Sequence, residues 1–487
     1  MNLSMIRYIL GNVLAVEGLL MAPCSIVGYL YGESQAEVYL ILGICTLLCG
    51  LMLRWKKPEN SVFYLKEGCV STALSWILMS ILGALPFVLT GEIPSFTDAF
   101  FETVSGFTTT GASILSNVEA LSHVSLFWRS FTHWIGGMGV LVFVLAVVPL
   151  NGGSHINLMR AESPGPSVGK LVPRLRYTAR ILYIIYMVLT VVQVVLLLLG
   201  DMDLFEAITH SFGTAGTGGF GVKNDSITSY SAYCQWVITI FMVLFGINFN
   251  AYYFILLKHF KEAFSMEEVR AYLTIILGAV AIIFLNIYHS CQGVFDALTK
   301  TFFQVASIIT TTGYSTCDFD LWPTTSKLIL VLLMFIGACA GSTGGGIKVS
   351  RFLIVGKTVR KEFGSYVHPK SIKKIQMDGK PIEHEVVRST NVYFMTYMML
   401  FALFLFLISL EGKDLVTSFT AVAATFNNIG PGLGAVGPMC NFAGLTVFSK
   451  WVLSFAMLAG RLELFPMLML FHPTIWKESF FNSRKES

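Results

Sequence analysis

The chain has 487 residues, of which 54% are hydrophobic and only 13% charged, about half the charged share of an ordinary soluble domain. Its net charge is +4 and its mean hydropathy +0.69. Intrinsic disorder, a nucleic-acid partner and a small disulfide scaffold are excluded, and a polytopic, all-α membrane protein is implied.

A helix crossing a hydrocarbon core of about 30 Å needs roughly 20 largely apolar residues. Such runs lie near 8–31, 36–53, 69–90, 124–150, 181–200, 232–257, 271–290, 325–357, 391–410 and 445–472, so ten spans are predicted, several interrupted by glycines. The first follows Arg7 without a convincing cleavage site and reads as a retained helix. Shorter, half-polar segments near 97–108, 204–215, 295–310 and 415–427 lie between spans. They are too short to cross and too apolar for a water-exposed loop, which suits re-entrant helices. The nine cysteines are scattered through apolar runs without metal-ligand spacing and read as small hydrophobes.

Loops 54–68, 151–180, 258–270 and 348–390, with both termini, hold 26 of the 33 basic residues. The excess of Lys and Arg places these loops and both termini in the cytoplasm, so the half-polar segments dip in from outside.

The four dips end alike: Phe107-Thr108-Thr109-Thr110-Gly111, Ala215-Gly216-Thr217-Gly218, Ile309-Thr310-Thr311-Thr312-Gly313 and Phe426-Asn427-Asn428-Ile429-Gly430. Aligned on Gly111, Gly218, Gly313 and Gly430 they recur after 107, 95 and 117 residues, each flanked by spans. That period predicts four helix–pore-helix–helix repeats in a pseudo-fourfold ring, with two extra N-terminal helices outside it. The expected divisions are 1–66 for the N-terminal pair, then 67–160, 161–265, 266–365 and 366–487 for the repeats.

A dehydrated monovalent cation needs oxygens on every side, and backbone carbonyls supply them without a fixed charge. Aiming successive carbonyls at one axis demands backbone angles that glycine adopts at little steric cost. The predicted cation-binding residues are therefore Thr109, Thr110, Gly111, Gly216, Thr217, Gly218, Thr311, Thr312, Gly313, Asn428, Ile429 and Gly430. Asp98, Asp203, Asp296 and Asp414 open the dips, at the positive ends of short helices whose negative ends then face the pore. Gly50, outside the repeats, serves as a neutral reference position. Two phosphate-loop lookalikes, Gly216–Gly221 and Gly341–Lys348, lack a preceding strand and the required Gly-Lys step respectively, so no nucleotide site is expected in this chain.

The stretches 101–113, Trp128-Arg129-Ser130-Phe131-Thr132-His133-Trp134-Ile135-Gly136-Gly137-Met138-Gly139 and Gly460-Arg461-Leu462-Glu463-Leu464-Phe465-Pro466 resemble the Trk/Ktr/HKT potassium-transporter superfamily. The two extra N-terminal spans resemble its TrkH branch. The resemblance implies K⁺ as the transported ion, a bacterial inner (plasma) membrane location, a homodimer in membrane lipid, and a cytosolic nucleotide-binding regulatory subunit of the TrkA type. It implies no enzymatic activity. In plant relatives a Ser at the first filter glycine goes with sodium transport; all four glycines here favour potassium. Gly216 stands where many relatives carry a hydroxyl residue, and a side-chain oxygen is lost there.

Three further features stand out. Gly337, Gly341, Gly344, Gly345 and Gly346 interrupt a span and read as a flexible flap beneath the filter, where relatives carry a gating loop. Arg461, in the last span, needs a partner or water; paired with carbonyls freed by the flap it would hold a gate shut. Arg129 and His133, one turn apart, read as braces for the pore helix. The ten basic residues of 348–390 suit anionic lipid or a docked regulator equally. A secondary symporter coupling H⁺ or Na⁺ to K⁺ or a small solute is the alternative function, and a membrane enzyme the third.

Overall fold

In the computed structural model the described residues are 1–58, 64–139, 175–370 and 374–475. The expected loops 54–68, 151–180 and 348–390, the end of the span expected over 124–150 and the end of the C-terminal segment lie partly outside them.

The N-terminal pair is a hairpin of α1 (Leu3–Leu30) and α2 (Gln35–Arg54). Its seam is made of small residues, because lipid offers no hydrophobic drive between helices and close backbone approach must supply the attraction. A Cβ on Gly11 would lie 2.8 Å from the Gly50 carbonyl oxygen, and one on Gly18 2.5 Å from that of Gly43. Gly50 itself has no room for a side chain: a Cβ there would lie 2.7 Å from the Gly11 oxygen and 2.9 Å from Cα of Ala15.

Four units of one plan follow. The first is α3 (Leu65–Leu89), the pore helix α4 (Phe96–Phe107) and α5 (His123–Gly137). The second is α6 (Leu175–Leu198), α7 (Leu204–Ala215), α8 (Ala232–Phe245) and α9 (Phe249–Leu256), with α10 (Phe260–Ser265) leading out of it. The third is α11 (Glu267–Ile287), α12 (Val294–Ile309), α13 (Thr324–Ile336) and α14 (Val349–Val367). The fourth is α15 (His384–Ser409), α16 (Leu415–Phe426), α17 (Val447–Arg461) and α18 (Phe465–Met469). The pore helices lie within two residues of the expected dips. A two-residue antiparallel ladder, 376–377 with 380–381, precedes α15.

Not all of the ten expected spans are continuous helices. Among the described residues six helices are long and apolar enough to cross, or seven if α8 and α9, bent by 89°, are one span. The second helix of every repeat is interrupted. α5 ends at Gly137, with Gly139 at φ 82°; α13 gives way to the glycine segment at Gly337; α17 ends at Arg461, with Glu463 and Leu464 at φ 57° and 70°. The breaks fall behind the pore helices, where backbone replaces side chain. A Cβ on Gly136 or on Gly460 would lie within 3.0 Å of the last pore-helix carbonyl, that of Phe107 or Phe426.

Polar side chains, most of them carboxylates, hold these helix ends. Ser95, Asp203 and Asp414 cap pore helices, accepting from the amides of Asp98, Glu206 and Thr417. Asp98 instead accepts from the Lys450 ammonium at 2.6 Å, and Asp296 from Lys300 at 2.8 Å. In three repeats the acidic residue shortly before the pore helix also caps the second helix: Glu92 accepts from Ser122 N–H at 2.7 Å, Asp201 from Ser231 at 2.9 Å and Glu411 from Thr446 at 2.9 Å. Partial burial raises the Asp201 carboxyl, but hydrogen bonds from Cys234 and Ser231 outweigh it and lower it to about 2.

The helical seam yields a test. Gly50→Val should cost about 1–3 kcal/mol of overpacking and lower the melting temperature in detergent. Gly278→Val, at a position with open space around it, should not. Equal melting temperatures for both variants would contradict the packing of the hairpin.

Candidate functional site: four convergent strands and a glycine flap

One residue after each pore helix comes a short non-helical strand of three residues, and the four segments share one hydrogen-bond pattern. The amides of Thr110, Gly218, Thr312 and Ile429 donate to the carbonyls of Ser105, Gly213, Ser307 and Ala424, at 2.9, 2.8, 2.8 and 2.8 Å. Each bond reaches five residues back, into the pore helix. The residues just before these, Thr109, Thr217, Thr311 and Asn428, have φ of 54°, 54°, 59° and 58°. A peptide unit is planar, its N–H and C=O opposed, so an amide turned toward the pore helix turns the preceding carbonyl away from it.

This geometry corrects the register of the second repeat. The strands are Thr109-Thr110-Gly111, Thr217-Gly218-Gly219, Thr311-Thr312-Gly313 and Asn428-Ile429-Gly430, closing on glycines at φ 79°, 78°, 85° and 103°. Gly219, not Gly218, matches Gly111, and Gly216 belongs with Thr108, Thr310 and Asn427 at the pore-helix end. Gly216 is glycine because a Cβ there would lie within 3.0 Å of the backbone carbonyl of His133. That close approach explains the hydroxyl missing at this position.

The strands interlock in a closed ring. A Cβ on Gly111 would fall within 3.0 Å of the Gly218 oxygen, one on Gly219 of the Thr312 oxygen, one on Gly313 of the Ile429 oxygen, and one on Gly430 2.8 Å from the Thr110 oxygen. Each strand thus places its middle carbonyl where its neighbour's glycine side chain would be. Four such contacts in cyclic order establish the fourfold arrangement. Among the described residues, no amide or side chain donates to the carbonyls of these twelve strand residues. The side-chain oxygens of Thr109 and Asn428 are likewise buried without a partner. On one side the four closing glycines line a cavity of about 140 Å³ with Ser113, Arg129, Lys223, Asn224 and Cys440.

The expected braces are present. Arg129 pairs with Glu102 of α4 at 2.8 Å, both fully buried, and donates to the Gly221 carbonyl at 3.2 Å. Glu102 also accepts from Ile114 N–H at 2.9 Å, just beyond the first strand.

On the other side lies the segment from Gly337 to Gly346. Gly337, Gly341 and Gly346 have φ of 73°, 68° and 75°; Gly344 and Gly345 do not need left-handed angles but have no room for a side chain. A Cβ on Gly344 would meet the Thr310 carbonyl at 2.9 Å, and one on Gly345 the Asn427 carbonyl at 2.6 Å. The Gly345 amide donates to the Thr311 hydroxyl at 2.6 Å. The segment is thus packed against the pore-helix ends of strands three and four.

Arg461 donates to the Thr343 carbonyl in this segment at 2.9 Å, and to Gly136 and Gly137 at 2.6 and 2.9 Å. Sequence reasoning missed the rest of the network. Glu268 accepts from the Ala340 amide at 2.6 Å and the Ser350 amide at 3.1 Å; Lys348 donates to the Gly344 carbonyl; Arg351 pairs with Glu463 and stacks 3.8 Å over Tyr393. Lys348 and Arg351, counted among the surface charges of 348–390, are buried. The rest of that expected loop is largely α14 and the start of α15.

Comparison with known proteins accords with this architecture. Residues 35–482 match the family profile TrkH, described as a cation transport protein. The chain is 35% identical over 477 residues to the Trk system potassium uptake protein TrkH of Escherichia coli K12, covering 96% of this chain and 97% of the relative. It is 34% identical over 489 residues to TrkG of the same organism, covering 98% and 100%. The crystal structure of the potassium transporter TrkH from Vibrio parahaemolyticus superposes with a TM-score of 0.88 at 33% identity, covering 98% of this chain and 100% of that one. The protein is a multi-pass membrane protein of the TrkH family of cation transporters, not an enzyme.

Proposed function

We propose that this protein carries K⁺ into the cell across the bacterial inner membrane, through a selectivity filter built from the four strands. One observation carries the reading: among the described residues, twelve carbonyls at the meeting point of four pore-helix ends are left without hydrogen bonds. Buried carbonyls are almost always paired, and an unpaired one costs about 1–3 kcal/mol. Dehydrated cations held at successive levels on the axis would satisfy them, and the negative ends of four pore helices add to their stabilisation. The ligands are then Thr109, Thr110, Gly111, Thr217, Gly218, Gly219, Thr311, Thr312, Gly313, Asn428, Ile429 and Gly430. The names of the relatives support potassium as the ion.

The segment Gly337–Gly346 acts as the gate, with Arg461 as its tether. It lies against the filter's inner end, and the guanidinium adds a cationic barrier beside it. The four repeats occupy 67–160, 161–265, 266–365 and 366–487, with both termini in the cytoplasm, in keeping with the distribution of basic residues. A homodimer and a cytosolic nucleotide-binding regulator belong to the same reading, on the strength of the family resemblance.

Three experiments test it. In proteoliposomes, Gly111→Ser and Gly219→Ser should each lower the K⁺/Na⁺ permeability ratio read from reversal potentials, since any side chain there displaces a neighbour's carbonyl. An unchanged ratio in both would remove the strands from the filter. Deleting 341–346 should raise flux while selectivity persists, and Arg461→Gln should raise it by about tenfold, the order set by losing charge-assisted hydrogen bonds. Wild-type flux in both, with correct membrane insertion, would contradict the gate. Cys440 is exposed and lines the outer cavity. A membrane-impermeant cationic thiol reagent added outside should therefore slow uptake in the native protein and not in Cys440→Ser. Equal inhibition of both proteins, or none in either, would contradict the outward placement of that cavity.

A further inference from the structure

The ring is not uniform behind its strands. In repeats one and three, the hydroxyls of Thr108 and Thr110, and of Thr310 and Thr312, hydrogen-bond to each other at 2.7 Å and stiffen the strand from behind. In repeat two both positions are glycine, Gly216 and Gly218, so no side chain of the strand itself does this. The space is filled from α5. The ring of His133 lies so close against Gly218 that a Cβ there would come within 3.0 Å of its Cγ, Nδ1 and Cδ2.

Both ring nitrogens are engaged. Nδ1 lies 2.7 Å from the Gly106 carbonyl, which can only accept, so Nδ1 carries the proton. Nε2 then accepts from the Phe220 amide at 3.3 Å, immediately after the second strand. The Phe220 ring is tilted on the imidazole at 4.2 Å and carries the Arg129 guanidinium 4.0 Å over its face. One histidine thus links the last turn of the first pore helix to the residue that follows the second strand.

We propose that His133 is a positioning residue for ion selectivity: as a neutral imidazole it replaces the missing hydroxyl pair and sets the aim of the Thr217 and Gly218 carbonyls. This rests on the four strands being the filter. The assignment goes beyond bracing, because a brace needs only bulk, whereas this role needs one donor and one acceptor at fixed places. Glutamine supplies both; leucine fills the volume and supplies neither.

The test compares His133→Gln and His133→Leu in proteoliposomes, with Gly111→Ser alongside and reversal potentials as the readout. His133→Gln should keep the K⁺/Na⁺ ratio near that of the native protein. His133→Leu should lower it by about tenfold, the order set by one buried hydrogen bond. A complementary pair probes the contact with the strand. Gly218→Ala should be damaging beside the native histidine and tolerated in His133→Ala, where the ring is gone. If His133→Leu keeps the native ratio, or Gly218→Ala is equally damaging in both backgrounds, the proposal is overturned while a changed Gly111→Ser ratio leaves the filter standing. If Gly111→Ser keeps the native ratio, the filter reading fails and the role of His133 falls with it.

Discussion

The structure depends on a contact that only glycine permits: the middle carbonyl of one strand occupies the place of its neighbour's closing side chain. Four such contacts run in a circle, from Gly111 to Gly218, Gly219 to Thr312, Gly313 to Ile429 and Gly430 to Thr110. The arrangement brings carbonyl dipoles of like orientation together, which is unfavourable unless a positive charge lies among them. Much of the remaining architecture holds that unfavourable cluster in place. Pore-helix carbonyls fix each strand by its amides, and the Arg129–Glu102 pair ties α5 to the first pore helix. Breaks in the second helices let backbone pack directly behind the strands.

The charges around the glycine segment form a second system. Arg461, Lys348, Arg351, Glu268 and Glu463 are drawn from repeats three and four and converge on one glycine segment and its borders. Charges buried or half-buried in this way are stable only when paired or hydrogen-bonded, and the segment supplies Thr343 and Gly344 carbonyls and the Ala340 amide among their partners. Moving the segment would strip those charges of their partners, so a displaced state must offer them water or new ligands.

Much of this was legible in the sequence, because pore helices and their glycine-ended strands are local patterns. The bounds of all four pore helices, the fourfold period and the glycine segment followed from residue types alone. The register of the second strand did not. Gly216-Thr217-Gly218-Gly219 offers several glycines to align, and the useful marker was the residue at positive φ: Thr109, Thr217, Thr311 and Asn428 form a polar column that fixes the frame. The breaks within the second helices were not legible, because apolar length cannot reveal that a helix breaks where it meets a pore helix. Lys348 and Arg351 passed for surface charges, since their partners Gly344 and Glu463 are set by tertiary packing rather than by neighbouring sequence. His133 carried no local signal of its filter-side role. Only the two glycines opposite it, 216 and 218, hinted that something else must fill that space.

The central claim is that the unpaired carbonyls of the four strands bind a dehydrated monovalent cation. The direct measurement is anomalous diffraction from crystals of the protein grown in rubidium, a heavier congener of potassium. The account expects anomalous density on the axis, ringed by the carbonyls of Thr110, Gly218, Thr312 and Ile429. An ordered ring with no density there, under conditions in which the same preparation transports rubidium, would contradict it.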